Sequence, residues 1–203
     1  MTTYQTHSKY LMGLRMSDFK AHEEIQGIWS RTTTRHLDER GFFSEVFRLT
    51  NIEFNPVSFK QQNLSYSKKL VRRGMHVQEN QWQLVTLLSG TVIDVLLDIR
   101  IDSSTFGKFA RFDLGCEPDE VNQLLVSPGI AHGFGVLSDD AYMLYASDRY
   151  YGETQETGIA CQTPELENAW PKNEWIESLR DRSFPRLHDA KNKGTLNSFT
   201  KKN

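Results

Sequence analysis

Only two cysteines, Cys116 and Cys161, occur in the 203 residues. They form no CxxC pair, which excludes a disulfide framework and a cysteine zinc site, and leaves two free structural thiols as the expectation. No stretch approaches the roughly 20 consecutive apolar residues that a membrane-spanning helix needs, and the opening MTTYQTHSKYLMGLRMSDFK has no apolar core of the secretory type. A cytoplasmic chain with no membrane partner is therefore expected. Charge is balanced, with 24 Lys and Arg against 26 Asp and Glu for a formal net charge of −2. Without a basic field there is no call for a nucleic-acid partner, and an anionic ligand has to be held by individual arginines. Internal repeats and low-complexity linkers are absent as well.

What the chain does contain is enough apolar material, 38% of residues, for one good-sized core. A single domain over 1–203 is expected, with its core at about 26–190 and a polar, aperiodic tail at 191–203 that is expected to be mobile. Short apolar runs broken by turn residues mark an all-β sandwich or barrel rather than alternating helices and strands. Gln83 to Leu88, then Ser89-Gly90, then Thr91 to Ile99 reads as a hairpin. Further strands are expected at 59–64, 74–78, 109–114, 123–126, 133–137 and 142–150, with Pro128-Gly129 as a tight turn. In the strand after Gly90, Ile93, Val95, Leu97 and Ile99 share one face and Val92, Asp94, Leu96 and Asp98 the other. Both faces are partly apolar, so both should be covered. After Pro171 a short helix is expected over 174–179.

Four separated segments join reactive groups to strand-forming neighbours: DERGFFSEVF, FKQQNLSYSKKLVRRGMHVQ, SPGIAHGFGVLS and YMLYASDRYYGETQETG. In GMHVQ the strand period sets His76 and Gln78 on one face and Met75 and Val77 on the other. The same alternation groups Met143, Tyr145 and Ser147. A lone strand histidine is also the pattern of a satisfied core residue, a strand tyrosine that of simple packing, and His132 before Gly133 that of a hydrogen-bonded turn.

Taken in order, these motifs resemble the dTDP-4-dehydrorhamnose 3,5-epimerase family over about residues 28–181. The matching stretches are DERGFFSEVF (38–47), QxNxS (61–65), RGMHxQ (73–78), GTVIDVLLDIR (90–100), SSTFG (103–107) and PGIAHGF (128–134). Leu144-Tyr145, Tyr150-Tyr151 and Trp170-Pro171 complete the series. The resemblance implies a double-stranded β-helix of the cupin, jelly-roll type. It also implies a homodimer acting on a nucleoside-diphosphate 4-keto-6-deoxyhexose in deoxysugar and surface-polysaccharide synthesis.

By the same resemblance, His76 is the base that removes the proton beside the ketone, Asp181 in SLRD is its carboxylate partner, and Tyr145 returns a proton from the opposite face. His132 lines the pocket. Contacts to the nucleotide and its phosphates carry over onto Arg40, Glu45, Gln61, Asn63 and Arg73, with Tyr150 stacking on the base and Glu156 contacting it. Arginine suits a diphosphate because its fork donates two parallel bonds. Such chemistry needs a base near neutral pKa, a partner for the oxyanion and an acid across the ring, and no metal or other cofactor. The HxH pair often seen in metal-binding cupins is absent, since Gln78 takes the second position.

The chain departs from the family at Gln83, where a lysine usually steadies the enolate oxygen. A neutral amide donates a weaker bond than a cation. The loop VQENQW is short, Ala146 replaces a lysine after Tyr145, and Cys161-Gln162-Thr163 replaces a Trp-Asn-Asp run. These departures leave open which carbons are inverted. The alternatives are a single-carbon epimerase on a CDP-linked 4-keto-dideoxyhexose, a metal-dependent cupin enzyme and a non-catalytic sugar-nucleotide binder.

Overall fold

The computed structural model describes residues 19–47, 58–115, 122–153 and 156–200. Thirteen strands are present among them: β1 (Lys20–Ala21), β2 (Ile28–Arg31), β3 (His36–Asp38), β4 (Gly41–Phe43), β5 (Gln61–Lys68), β6 (Arg72–Gln78) and β7 (Gln83–Ser89). After these come β8 (Val92–Asp98), β9 (Phe109–Leu114), β10 (Gln123–Val126), β11 (Ile130–Val136), β12 (Asp140–Ser147) and β13 (Glu156–Gly158). Two short helices, α1 (Leu179–Arg182) and α2 (Leu187–Asn192), follow.

A six-stranded sheet in the order β1-β2-β10-β7-β12-β5 faces a five-stranded sheet in the order β13-β6-β11-β8-β9. All named strand pairs are antiparallel, and the two sheets make the expected cupin-like jelly roll. The hairpin expected around Ser89-Gly90 does not form. β7 pairs with β10 and β12, whereas β8 pairs with β11 and β9 in the other sheet. Gly90 carries the chain across at φ +96°, and a Cβ there would meet the Asp140 carbonyl oxygen at 2.3 Å. A turn signal marks a reversal and says nothing of which sheet receives the next strand.

The two faces of β8 are both covered, as their composition requires. Val92 and Leu96 join Val85, Leu87, Val126, Phe134 and Met143 in a core between the sheets. Ile93, Val95 and Leu97 join Met75, Val77, Trp170 and Leu187 in a second core under the C-terminal segment. A third cluster of Leu84, Leu125 and Ala146, with Trp29 and Trp82 packed on it, covers the outside of the six-stranded sheet.

One C-terminal expectation is corrected. Residues 174–178 form no helix, with Ile176 bridging to Val71 in parallel and its N–H donating to the Leu70 carbonyl. The helix begins only at Leu179, after Ser178 caps it by accepting from the Asp181 N–H. The described part of the polar tail is packed: Leu196 is wholly buried, Phe199 is 5% exposed, and the Phe199 carbonyl accepts from the Ile101 N–H. A few apolar anchors outweigh an otherwise polar composition.

Candidate active site

Among the polar side chains singled out from the sequence, the inward faces of the two sheets hold His76, Gln83, His132 and Tyr145. On β6, Met75 and Val77 point outward into the C-terminal core, so the strand period turns His76 and Gln78 inward. On β7, Val85 and Leu87 point inward, and Gln83 shares their side. On β12, Met143 lies in the inner core with Tyr145 packed against it, whereas Ala146 points outward. The missing lysine at 146 therefore takes no charge from the interior, while Gln83 sits within reach of it.

His76 Nε2 lies 2.9 Å from Asp181 Oδ1, and the Gly74 N–H donates to Asp181 Oδ2 at 3.3 Å. Burial alone would raise the Asp181 carboxyl, but the His76 bond and charge, the Gly74 N–H and Ser178 together hold it below the usual carboxylate value. An ionised Asp181 takes the proton-bearing Nε2 of His76 and leaves Nδ1 as the basic nitrogen. Gly74 lets β6 lie close against β11 at this point. It has φ +120°, and a Cβ would fall 2.5 Å from the Gly133 Cα of β11.

Asp181 comes 105 residues after His76, and a buried clamp joins the two segments. Arg72 Nε donates to Glu177 Oε1 at 3.0 Å, with both side chains about 95% buried. The Arg72 guanidinium lies 5.2 Å and 5.5 Å from the ring centres of Trp170 and Trp175. Glu177 Oε2 accepts from Gln162 Nε2 at 2.7 Å.

Across the interior, Tyr145 Oη is 3.2 Å from Ser65 Oγ. Burial pushes the phenol well above its ordinary value; the Ser65 bond opposes this, the Asp94 charge adds to it and Arg73 opposes it again. The phenol is therefore held protonated. Gln61, Asn63, Ser65 and Ser67 form the polar face of β5, with Asn63 directly opposite Tyr145. Arg73 Nε donates to Ser67 Oγ at 2.9 Å, and Gln61 Oε1 accepts from the Tyr151 N–H. His132 stands between the two groups, opposite His76 in the β11–β6 ladder and with its ring 6.2 Å from that of Tyr145.

Glu156 pairs with Gln78 across β13 and β6, and its carboxylate takes Arg180 Nη2 at 2.8 Å. Tyr150 is exposed, with Lys60 Nζ 5.8 Å from its ring centre. Arg40 and Glu45 are not brought to this interior. Arg40 is exposed on the β3–β4 turn and paired with Asp38, and Glu45 follows β4. Among the described residues no three His, Cys, Asp or Glu side chains converge as metal ligands. Cys161 is buried, its thiol pushed up to about 12 by that burial, and Cys116 lies outside the described residues.

Three contributors escaped the sequence reading: Asp94, which meets His132; Ser65, which meets Tyr145; and Arg180, which meets Glu156. Asp94 had left a signal, a carboxylate in the middle of the apolar run VIDVLL.

A histidine–carboxylate pair and a buried tyrosine lie on facing sheets of a cupin-like jelly roll, and that fold is shared with the sugar-nucleotide epimerases. Residues 22–189 match the family model described as dTDP-4-dehydrorhamnose 3,5-epimerase, and the chain belongs to that family. It is 39% identical to the dTDP-4-dehydrorhamnose 3,5-epimerase of Shigella flexneri over 75% of this chain and 87% of that one. It is 34% identical to a dTDP-4-dehydrorhamnose 3-epimerase of Streptomyces niveus over 86% of each. Among solved structures, the 3,5-epimerase of Legionella pneumophila in complex with dTDP-4-keto-L-rhamnose superposes with a TM-score of 0.79. That pair is 31% identical over 91% of this chain and 98% of that one. No helix among the described residues is long and apolar enough to cross a membrane.

Proposed function

We propose that this protein epimerises a nucleoside-diphosphate 4-keto-6-deoxyhexose, most simply a dTDP sugar, at C3, C5 or both. The observation that carries the reading is His76 bonded to Asp181 on one sheet, with the buried phenol of Tyr145 on the other. His76 Nδ1 takes the proton from the carbon beside the ketone, and the electrons of that C–H bond move onto the ketone oxygen. Asp181 stabilises the imidazolium that results. Tyr145 then gives its proton to the opposite face of the same carbon as the enolate returns to the ketone, and solvent takes the proton from His76 and restores the phenol. In this reading Gln61, Asn63 and Arg73 take the nucleotide's phosphates, with Tyr150 and Glu156 beside the nucleobase.

The protein acts as a homodimer in this reading. Among the described residues β3 and β4 pair only with each other, and they expose Leu37, Phe42 and Phe43 at 68%, 55% and 72%. An apolar arm of this kind suits a second copy, and Arg40 and Glu45 would travel with it. The charge balance and the two cysteines suit the cytoplasm.

The test is proton NMR in deuterated water with dTDP-4-keto-6-deoxyglucose. Loss of the C3 and C5 signals is expected from a double epimerase and loss of one from a single-carbon enzyme. His76→Ala should abolish exchange while dTDP still binds, and Tyr145→Phe should exchange without inverting. Silence of the wild type with both dTDP- and CDP-linked ketosugars would refute the reading.

A further inference from the structure

A small cavity lies against His76 where β6 passes into β7, and the rest of its polar lining is Gln78, Gln81, Gln83 and Ser127. Gln81 and Ser127 are each 8% exposed, yet Gln81 Oε1 and Ser127 Oγ have no hydrogen-bond partner among the described residues. Buried amides and hydroxyls are ordinarily satisfied, and leaving one unpaired destabilises the fold. Neither residue serves the bond between His76 and Asp181 or the one between Tyr145 and Ser65. Their polar ends therefore suit a group brought in from outside the fold.

The lining decides which group that is. Besides the His76 ring it contains no ionisable side chain, so neither an ammonium nor a phosphate finds a counter-charge in it. At about 10 Å³ the cavity takes one oxygen atom and excludes a branched substituent such as an acyl group. An amide offers an N–H on one side and a C=O on the other, and a hydroxyl answers both, accepting from the first and donating to the second. The carbon that loses its proton must itself lie against His76. In a 4-keto-6-deoxyhexose carried on its C1 by a nucleotide, C4 is the ketone and C5 bears the methyl group. Only C2 and C3 carry free hydroxyls.

Resting on the proposed epimerase chemistry, we infer that this cavity receives the C2 or C3 hydroxyl of the ketosugar and that Gln81 selects for it. The substrate is then a 4-keto-6-deoxyhexose that keeps both hydroxyls, and a dideoxy sugar is rejected. A dideoxy sugar lacking the matching hydroxyl would leave Gln81 and Ser127 buried and unpaired. A site built to bond a hydroxyl rejects the analogue without it far more sharply than an apolar pocket rejects a missing methylene.

The probes are dTDP-4-keto-6-deoxyglucose and its 2-deoxy and 3-deoxy counterparts, all on the same nucleotide. Solvent-deuterium exchange beside the ketone is followed as kcat/KM. The wild type should lose about 10²-fold on at least one of the deoxy sugars. Gln81→Met should slow the parent sugar and narrow that gap by about tenfold or more, with dTDP affinity unchanged. Its urea midpoint should be unchanged or raised, since the substitution removes a buried amide oxygen that has no partner. Both deoxy sugars exchanging within about threefold of the parent, or a gap that Gln81→Met leaves intact, would overturn the role of Gln81 and leave the epimerase reading standing. A wild type silent with all of these sugars and with a CDP-linked ketosugar would overturn the two together. Should the variant fail to fold, the wild-type comparison of parent and deoxy sugars decides by itself.

Discussion

Asp94 and Asp98 lie four residues apart on the same inward face of β8, both wholly buried, yet their surroundings drive them in opposite directions. Burial is the largest influence on each. At Asp98 it is overcome by the Arg100 side chain, by Thr105 and Ser103 hydroxyls at 2.6 Å and 2.7 Å, and by the Arg100 N–H, so this carboxyl ends below its usual value. Its stabilising contribution is present above the unfolded-state value of about 3.9 and is lost as pH falls through the depressed folded value. Asp98→Asn leaves Arg100 buried without its counter-ion and should cost about 3–5 kcal/mol at neutral pH. Urea unfolding should show that gap narrowing below about pH 4. A gap independent of pH would mean that the loss comes from packing. The SSTFG motif was legible from the sequence as a family resemblance, but its use, to fold two hydroxyls back onto Asp98, was not. Hydroxyl rotors closing a network within seven residues leave no periodic trace.

Among the elements, strand interiors were readable because alternation reports which side chain shares which face. That is why His76, Tyr145 and the two faces of β8 came out on the sides expected of them. Partner strands were not readable, and the Ser89-Gly90 reversal was taken for a hairpin when it crosses between sheets. The segment 174–179 failed for a related reason: its local pattern favours a helix, but the buried Arg72–Glu177 pair and the Val71–Ile176 bridge keep 174–178 out of one. Tertiary contacts of this strength override a propensity worth tenths of a kcal/mol per residue. The packed end of the chain gives the matching prediction. Phe199→Ala should lower stability by about 3–5 kcal/mol, seen as a reduced urea midpoint. An unchanged midpoint would mean that this end contributes nothing to the core.

For the whole molecule, the exposed β3–β4 arm sets the prediction. Sedimentation should show a dimer, and Phe43→Asp with Leu37→Lys should shift it toward monomer without lowering the melting temperature of the remaining fold. If Arg40 serves the nucleotide only when its arm is lent to a second copy, the same variant should lose dTDP affinity along with the dimer. A variant that stays dimeric would place the interface elsewhere. Little of this was visible in the sequence, since the motif DERGFFSEVF identifies its residues but says nothing of what the arm packs against.

The clamp that brings Asp181 to His76 also governs when a newly made chain acquires its chemistry. The phenol and its Ser65 partner are separated by 80 residues, and the imidazole and its carboxylate by 105. Contacts this distant close late and slowly, because a long loop must be ordered before any of them forms. A ribosome has therefore released most of the polypeptide before the base has its partner, and a chain cut short before Glu177 would carry every residue of the pocket floor with no means of poising it. Translation errors that truncate the protein should yield inert product rather than a sluggish or promiscuous proton-transfer catalyst.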